Sequence, residues 1–338
     1  PTVINVGPGE QYRALADVIA DAPEGSKIAL LPGTYGDALT IGRSMKIYGT
    51  EKGVVLTGAI TAATPDGGNA VSLELENLTL EGDALISATD LKAFSMKNVV
   101  FGNHNITKKT MPVAIKGENE ILLNIEDCAF TDEPSGSYNL IDVYGQLLDG
   151  STISNNSFDA ACCSHNQISL YGLAPGATVE INGNFAVNSK NLVRIGFKGN
   201  PSGTVVLDGN CYDFTDEPPY DGLFLVQPYG RQTESFGDLT IDVKNTVYPT
   251  GTQIGYLYAG GNDTPFTDAT KPKALLDGEL WEIPDSSPEA LTAKTKITVT
   301  FMSGTEVIGT SEVSRGSAVG LEPVAPTKVG YTFSGWSA

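Results

Sequence analysis

The sequence predicts an all-β fold, a right-handed parallel β-helix with a short N-terminal capping helix, followed by a small C-terminal β-rich domain. Three observations predict it: a strand-and-turn motif in seven copies, a second short strand between copies, and a change of composition near residue 285. The expected boundaries are 1–285 for the β-helix with its cap at 1–36, 286–295 for a linker, and 296–338 for the small domain.

Taken in order, Tyr12, Leu15, Val18 and Ile19 share one face of a helix from about Glu10 to Asp21, placed to cover the open edge of the first coil. In the motif that follows, two apolar residues two apart lead to Asn, Asp or Gly, and an apolar or aromatic residue comes three later. Its copies are Leu73, Leu75, Asn77, Leu80; Phe94, Met96, Asn98, Phe101; Leu123, Ile125, Asp127, Phe130; Ile153, Asn155, Phe158; Ile181, Gly183, Ala186; Leu207, Gly209, Tyr212; and Ile241, Val243, Asn245, Tyr248. The turn residues lie 21, 29, 28, 28, 26 and 36 positions apart, the spacing of a solenoid with variable loops. Between copies run Asn139-Leu-Ile-Asp-Val-Tyr-Gly145, Asn166-Gln-Ile-Ser-Leu-Tyr-Gly172 and Asn191-Leu-Val-Arg-Ile-Gly-Phe197. Each strand then finds its partners one coil up and one coil down, with inward Ile, Val and Leu stacked in ladders. A leucine-rich horseshoe needs a tighter repeat with Leu at fixed offsets, and a two-sheet sandwich accounts for the period less well.

Val6-Gly-Pro-Gly-Glu-Gln-Tyr12, the amphipathic helix and Leu31-Pro-Gly-Thr-Tyr35 together resemble the opening of pectin-lyase-like β-helix proteins. That resemblance covers the first 50 residues well and the rest only by repeat pattern; it implies a fold and no activity. From Pro284 to Lys294 the composition turns to Asp, Ser, Pro, Glu, Ala and Thr, which marks a linker. Ile297-Thr-Val-Thr-Phe301, Pro323 and Pro326-Thr-Lys-Val-Gly-Tyr-Thr-Phe-Ser-Gly-Trp336 then resemble the Listeria–Bacteroides repeat of bacterial surface proteins, which implies an extracellular spacer or attachment module. The sequence stops two residues after Trp336, so the repeat is expected to be either shortened or cut.

Charge narrows the partners. With Lys+Arg 21 against Asp+Glu 40, the net charge of -19 disfavours nucleic acid and anionic membrane surfaces, and no run is long and apolar enough for membrane insertion. No signal segment precedes Pro1, as expected either of a trimmed secreted protein or of one that has lost an initiator Met. Cys128, Cys162, Cys163 and Cys211 form no spaced framework and are expected free and mostly buried. With only His104 and His165 besides, a zinc site is not expected.

The Asn-Thr-Asp, Asp-Asp, Gly-His-Gly and Arg-Ile-Lys segments of polygalacturonase-type hydrolases are absent, and the methylesterase pattern cannot be placed. A lyase of the pectate type needs a carboxylate cluster holding calcium beside an arginine. The nearest arrangement is Asp142, Ser169 and Arg194, three residues on from successive strand-opening asparagines and so expected in one outward row. Asp142 and Arg194 would stand about 10 Å apart across two coil spacings. They are the candidate catalytic pair, but one carboxylate makes a poor calcium site, so no cofactor is expected and the row is read as a solvated polar face.

Two residues further on, Tyr144 and Tyr171 are expected to stack, and with Ser169 they are the candidate carbohydrate-binding residues, since a sugar packs its apolar face on an aromatic ring. Loop cover or subunit packing would account for the same tyrosines. Phe130-Thr-Asp-Glu-Pro134 recurs as Phe214-Thr-Asp-Glu-Pro218, but three coils separate Asp132 and Glu133 from Asp216 and Glu217, too far for one acid–base pair. A nucleophile built from His165 and Cys162 or Cys163 is the weakest candidate.

The function expected is therefore a non-catalytic structural or adhesive β-helix displayed outside the cell. A bacteriophage virion component (head decoration, fibre or tail) is slightly favoured over a bacterial cell-surface protein. Its partners would then be capsid or tail proteins, or a cell-surface glycan, and the similarity to phage β-helix proteins implies a homotrimer. The alternatives are a polysaccharide lyase or glycoside hydrolase, or a pure glycan-binding module, of a gut-type bacterium.

Overall fold

The computed structural model describes residues 2–10, 14–104, 111–131, 137–159, 163–187, 191–213, 222–229, 235–246, 253–258, 265–283, 296–314, 325 and 334–336. Strands from Val3–Val6 to Glu279–Trp281 join one 27-stranded system, and Lys296–Ser303 pairs with Glu306–Ser314 in a separate antiparallel hairpin. Every pairing in the large system is parallel except the last, where Lys273–Leu276 meets Glu279–Trp281 antiparallel. The architecture is the right-handed parallel β-helix that the repeat predicts.

One interior position shows why these residues coil. Ile28, Ile47, Leu75, Met96, Ile125, Ile153, Ile181, Leu207, Val243 and Leu276 are successive register partners, all buried. Each apolar residue is thus covered above and below by its counterpart. After this strand the chain turns, and the turn residues carry the conformation their chemistry allows. Asn77, Asn98, Asp127, Asn155 and Asn245 have φ of 55, 52, 55, 56 and 47°, and Gly183 and Gly209 have 63°. These are left-handed backbones, which Asn, Asp and Gly enter most easily.

The residue after the turn points inward. In the early coils it is Leu78, Val99 and Cys128; then it becomes Asn156, Asn184 and Asn210, all buried. The asparagines form a hydrogen-bonded ladder: the Asn156 backbone N–H and Nδ2 both donate to Asn184 Oδ1 at 3.0 Å, and Asn184 repeats both bonds to Asn210 Oδ1. Their Nδ2 groups also donate to the carbonyls of Ile125, Ile153 and Ile181, satisfying backbone acceptors at the bend. Beyond it Phe101, Phe130 and Phe158 stack with ring centroids 4.6 and 5.1 Å apart. On the opposite strand row Gly255 lies under Phe224, where a Cβ would come within 2.3 Å of the ring.

The capping helix is shorter than expected, Leu15–Asp21, although Leu15, Val18 and Ile19 are buried as its pattern requires. Ala14 is extended, with φ −120° and ψ 132°, and the Leu15 N–H is taken by the Asp37 carboxylate at 2.9 Å. A carboxylate from a later turn therefore sets the helix start; Tyr12 lies outside the described residues. Tyr35 ties the first coil together, its hydroxyl 2.9 Å from the Val6 carbonyl and 2.7 Å from that of Leu31. At the far end the antiparallel strand Glu279–Trp281 covers part of the last edge, and Trp281 meets Phe224 edge-on at 6.0 Å. In the terminal hairpin Phe301 is buried and meets Trp336 at 4.8 Å between centroids.

Candidate functional site

The strands Ser137–Leu147, Cys163–Leu173 and Asn191–Ile195 stack in parallel, with Asn139 beside Asn166 and Asn166 beside Asn191. Asp142 pairs with Ser169 and Ser169 with Arg194, the register predicted from the strand-opening asparagines. Ile141, Ile168 and Val193 fill the interior between them, so the Asp142 row faces away from the lumen.

Two of the row's three members, Asp142 and Ser169, are not solvated, which corrects the sequence-based expectation, and Arg194 is half-buried. Asp142 is 1% exposed and Ser169 0%, and the flanking Leu140, Gln167 and Leu192 are each 0% exposed. The Asn139 amide, the hydroxyls of Tyr171 and Tyr144 and the Arg194 side chain surround the carboxylate, and Leu223, Leu225, Ile254 and Tyr256 continue the face on later coils, buried as well. A parallel strand covered on both faces reads as a nearly continuous apolar run, as in Gly222–Val226, and that run is the signal for two-sided burial.

Within this layer the Asp142 carboxylate accepts a hydrogen bond from Asn139 Nδ2 at 3.0 Å. Burial raises its pKa above the ordinary range, while the hydroxyls of Tyr171 and Tyr144, the Asn139 amide and the charge of Arg194 pull the other way. Arg194 Nη1 donates to the Tyr171 hydroxyl at 3.3 Å, Nη2 lies 3.5 Å from the Gln227 carbonyl, and the guanidinium stands 5.2 Å from the Tyr171 ring centroid. Tyr171 thus touches both members of the candidate catalytic pair.

The tyrosines come together as predicted. Tyr144 and Tyr171 stack with centroids 4.3 Å apart and planes 16° from parallel, and Tyr229 meets both edge-on at 5.8 and 5.0 Å. Lys198 lies across them, its ammonium 5.8 Å from the Tyr144 centroid, 5.0 Å from that of Tyr229 and 2.7 Å from Glu118 Oε1. This ion pair lowers the Glu118 pKa. A cleft of about 310 Å³ opens here, lined by Glu118, Tyr144, Gln146, Tyr171, Lys198 and Asn200 among others. Ser169 is fully buried on the strand that carries Tyr171, two residues before it.

Sequence reasoning missed Glu118, Gln146, Lys198, Asn200 and Tyr229. Gln146 could have been found, because it lies two residues past Tyr144 on the same strand. The others sit in turns and connections whose paths the strand period does not set. Asp132, Glu133, Asp216, Glu217, Cys162 and the side chains of Cys163 and His165 lie outside the described residues. Cys128 is a buried free thiol, and desolvation pushes its pKa up to about 12, the opposite of a nucleophile's requirement. Among the described residues no three His, Cys, Asp or Glu side chains are grouped to hold a metal.

No family model and no curated protein matches this sequence. Among solved structures the chain is similar to a pectin methylesterase from Aspergillus niger, with TM-score 0.41 and 16% identity over 87% of this chain and 92% of that one. It is also similar to pectate lyase Pel9A, with TM-score 0.32 and 13% identity over 76% and 74%. A pectin methylesterase mutant in complex with a hexasaccharide gives 0.25 and 14% over 80% and 93%. The fold assignment rests on the parallel register of this chain's own coils.

Proposed function

We propose that the chain is a non-catalytic β-helix displayed outside the cell, on a virion or a bacterial surface, and that it holds a glycan in the cleft beside Tyr144 and Tyr171. One observation carries this reading. Of the candidate pair, Asp142 is 1% exposed and bonded to Asn139, and the half-buried Arg194 bonds to Tyr171, whereas Tyr144, Lys198 and Glu118 line an open cleft with the largely buried Tyr171 in its wall. A group that moves a proton must come within about 2.6–3.2 Å of the reacting atom, directly or through one water. A carboxylate 1% exposed and engaged with Asn139 is not placed to do so. Aromatic rings beside amides and one ion pair suit recognition of sugar hydroxyls and ring faces.

Passage of the full chain over immobilised polysaccharides, with assay of the eluate for new reducing or unsaturated ends, tests the proposal. Retention on at least one polysaccharide without sugar release is the expected result. Release of shortened chains would establish an enzyme, and absence of retention on every polysaccharide would overturn glycan holding.

A further inference from the structure

We infer that the cleft selects a neutral saccharide, contacting one or two sugar units, and discriminates against acidic polymers. The inference rests on the glycan-holding reading above and adds the ligand's chemical class.

Charge is the first argument. Lys198 is the cation among the described residues lining the cleft, and its ammonium is already neutralised by Glu118 at 2.7 Å. A sugar carboxylate would have to share that ammonium with Glu118 or compete with it, and it would approach a chain of net charge -19 to do so. Neutral hydroxyls pay neither cost.

Hydrogen-bonding character is the second. Gln146 and Asn200 are exposed at the cleft; the Gln146 amide offers donors and an acceptor, and Asn200, whose Oδ1 accepts from the Ser235 N–H at 2.8 Å, presents its Nδ2 donors. Sugar hydroxyls need both, whereas a carboxylate only accepts. Size is the third. At about 310 Å³ the cleft sits at the small end of ligand sites, which run from about 300 to 1,000 Å³. It therefore matches contact with one or two sugar units.

Calorimetric titration of the full chain with neutral oligosaccharides and with oligouronates tests this. A neutral oligosaccharide is expected to bind more tightly than any oligouronate. Gln146→Ala, on an exposed side chain, should weaken that binding about five- to tenfold at unchanged Tm, the loss expected for one hydrogen bond, and Asn200→Ala should weaken it similarly while also releasing the Ser235 N–H. Glu118→Gln should raise oligouronate affinity, because it leaves the Lys198 charge available. Preference for oligouronates, or neutral binding unchanged in both amide variants, would overturn the inference and leave glycan holding intact. No binding of either class, together with no retention on immobilised polysaccharide, would overturn both.

Discussion

At Asn155 the backbone holds φ 56°, and the equivalent glycine one coil later, Gly183, holds 63°. Asn155→Gly should therefore leave stability nearly unchanged, while Asn155→Ala should cost about 1–2 kcal/mol in urea unfolding. Gly183→Ala should cost at least as much, since its Cβ would also come within 2.5 Å of Asn155 Oδ1. Equal stability of the two alanine variants and the wild type would refute the turn geometry. Asp142 gives a second test at this scale. Because burial raises its pKa, the folded chain holds that proton more tightly than the unfolded chain. The resulting stabilisation is complete below the ordinary Asp pKa of about 3.9 and is lost as pH rises through the raised folded value. Measured against Asp142→Asn, which does not titrate, the wild-type Tm should gain as pH falls through that window. A difference that is flat, or that shrinks on acidification, would contradict the burial argument. The turn residues were legible in the sequence because so few residue types accept a left-handed backbone. Burial of Asp142 was not, because alternation along a strand tells which residues share a face and not what lies over that face.

At the scale of elements, the coil is held by two interior devices of different kind, the phenylalanine stack and the asparagine ladder. Asn184 accepts from Asn156 and donates to Asn210 and the Ile153 carbonyl. Asn184→Ala leaves buried donors and acceptors without partners, each costing about 1–3 kcal/mol, so a loss of several kcal/mol is expected in urea unfolding. A loss below about 1 kcal/mol would show that the ladder is dispensable. The apolar ladders were readable as period-two spacing, and the aromatic rung as the residue three past each turn. The asparagine ladder was present as Asn directly after the turn residue in Asn155-Asn156, Gly183-Asn184 and Gly209-Asn210, and it passed unread because earlier coils carry Leu78, Val99 and Cys128 there. The helix start was likewise hidden, since the Asp37 carboxylate that fixes it comes from 22 residues downstream.

Across the whole molecule, the β-helix brings Glu118, Tyr144, Tyr171 and Lys198 to one cleft from four points along the sequence, and Glu118 and Lys198 meet although 80 residues separate them. The stacked tyrosines were legible because each follows a registered residue, Asp142 or Ser169, by two positions. The cleft was not, because it depends on the turns that bring Lys198 back over them. The same architecture keeps Asp142 inside a covered layer and sets the half-buried Arg194 against Tyr171, which is the basis for reading the molecule as a holder of glycan and not a cutter of it. Native mass spectrometry of the full chain mixed with a retained oligosaccharide, followed over a day, tests that claim most directly. The account predicts a complex whose ligand keeps its full mass throughout. Appearance of shortened oligosaccharide, free or bound, at a rate set by protein concentration would contradict it.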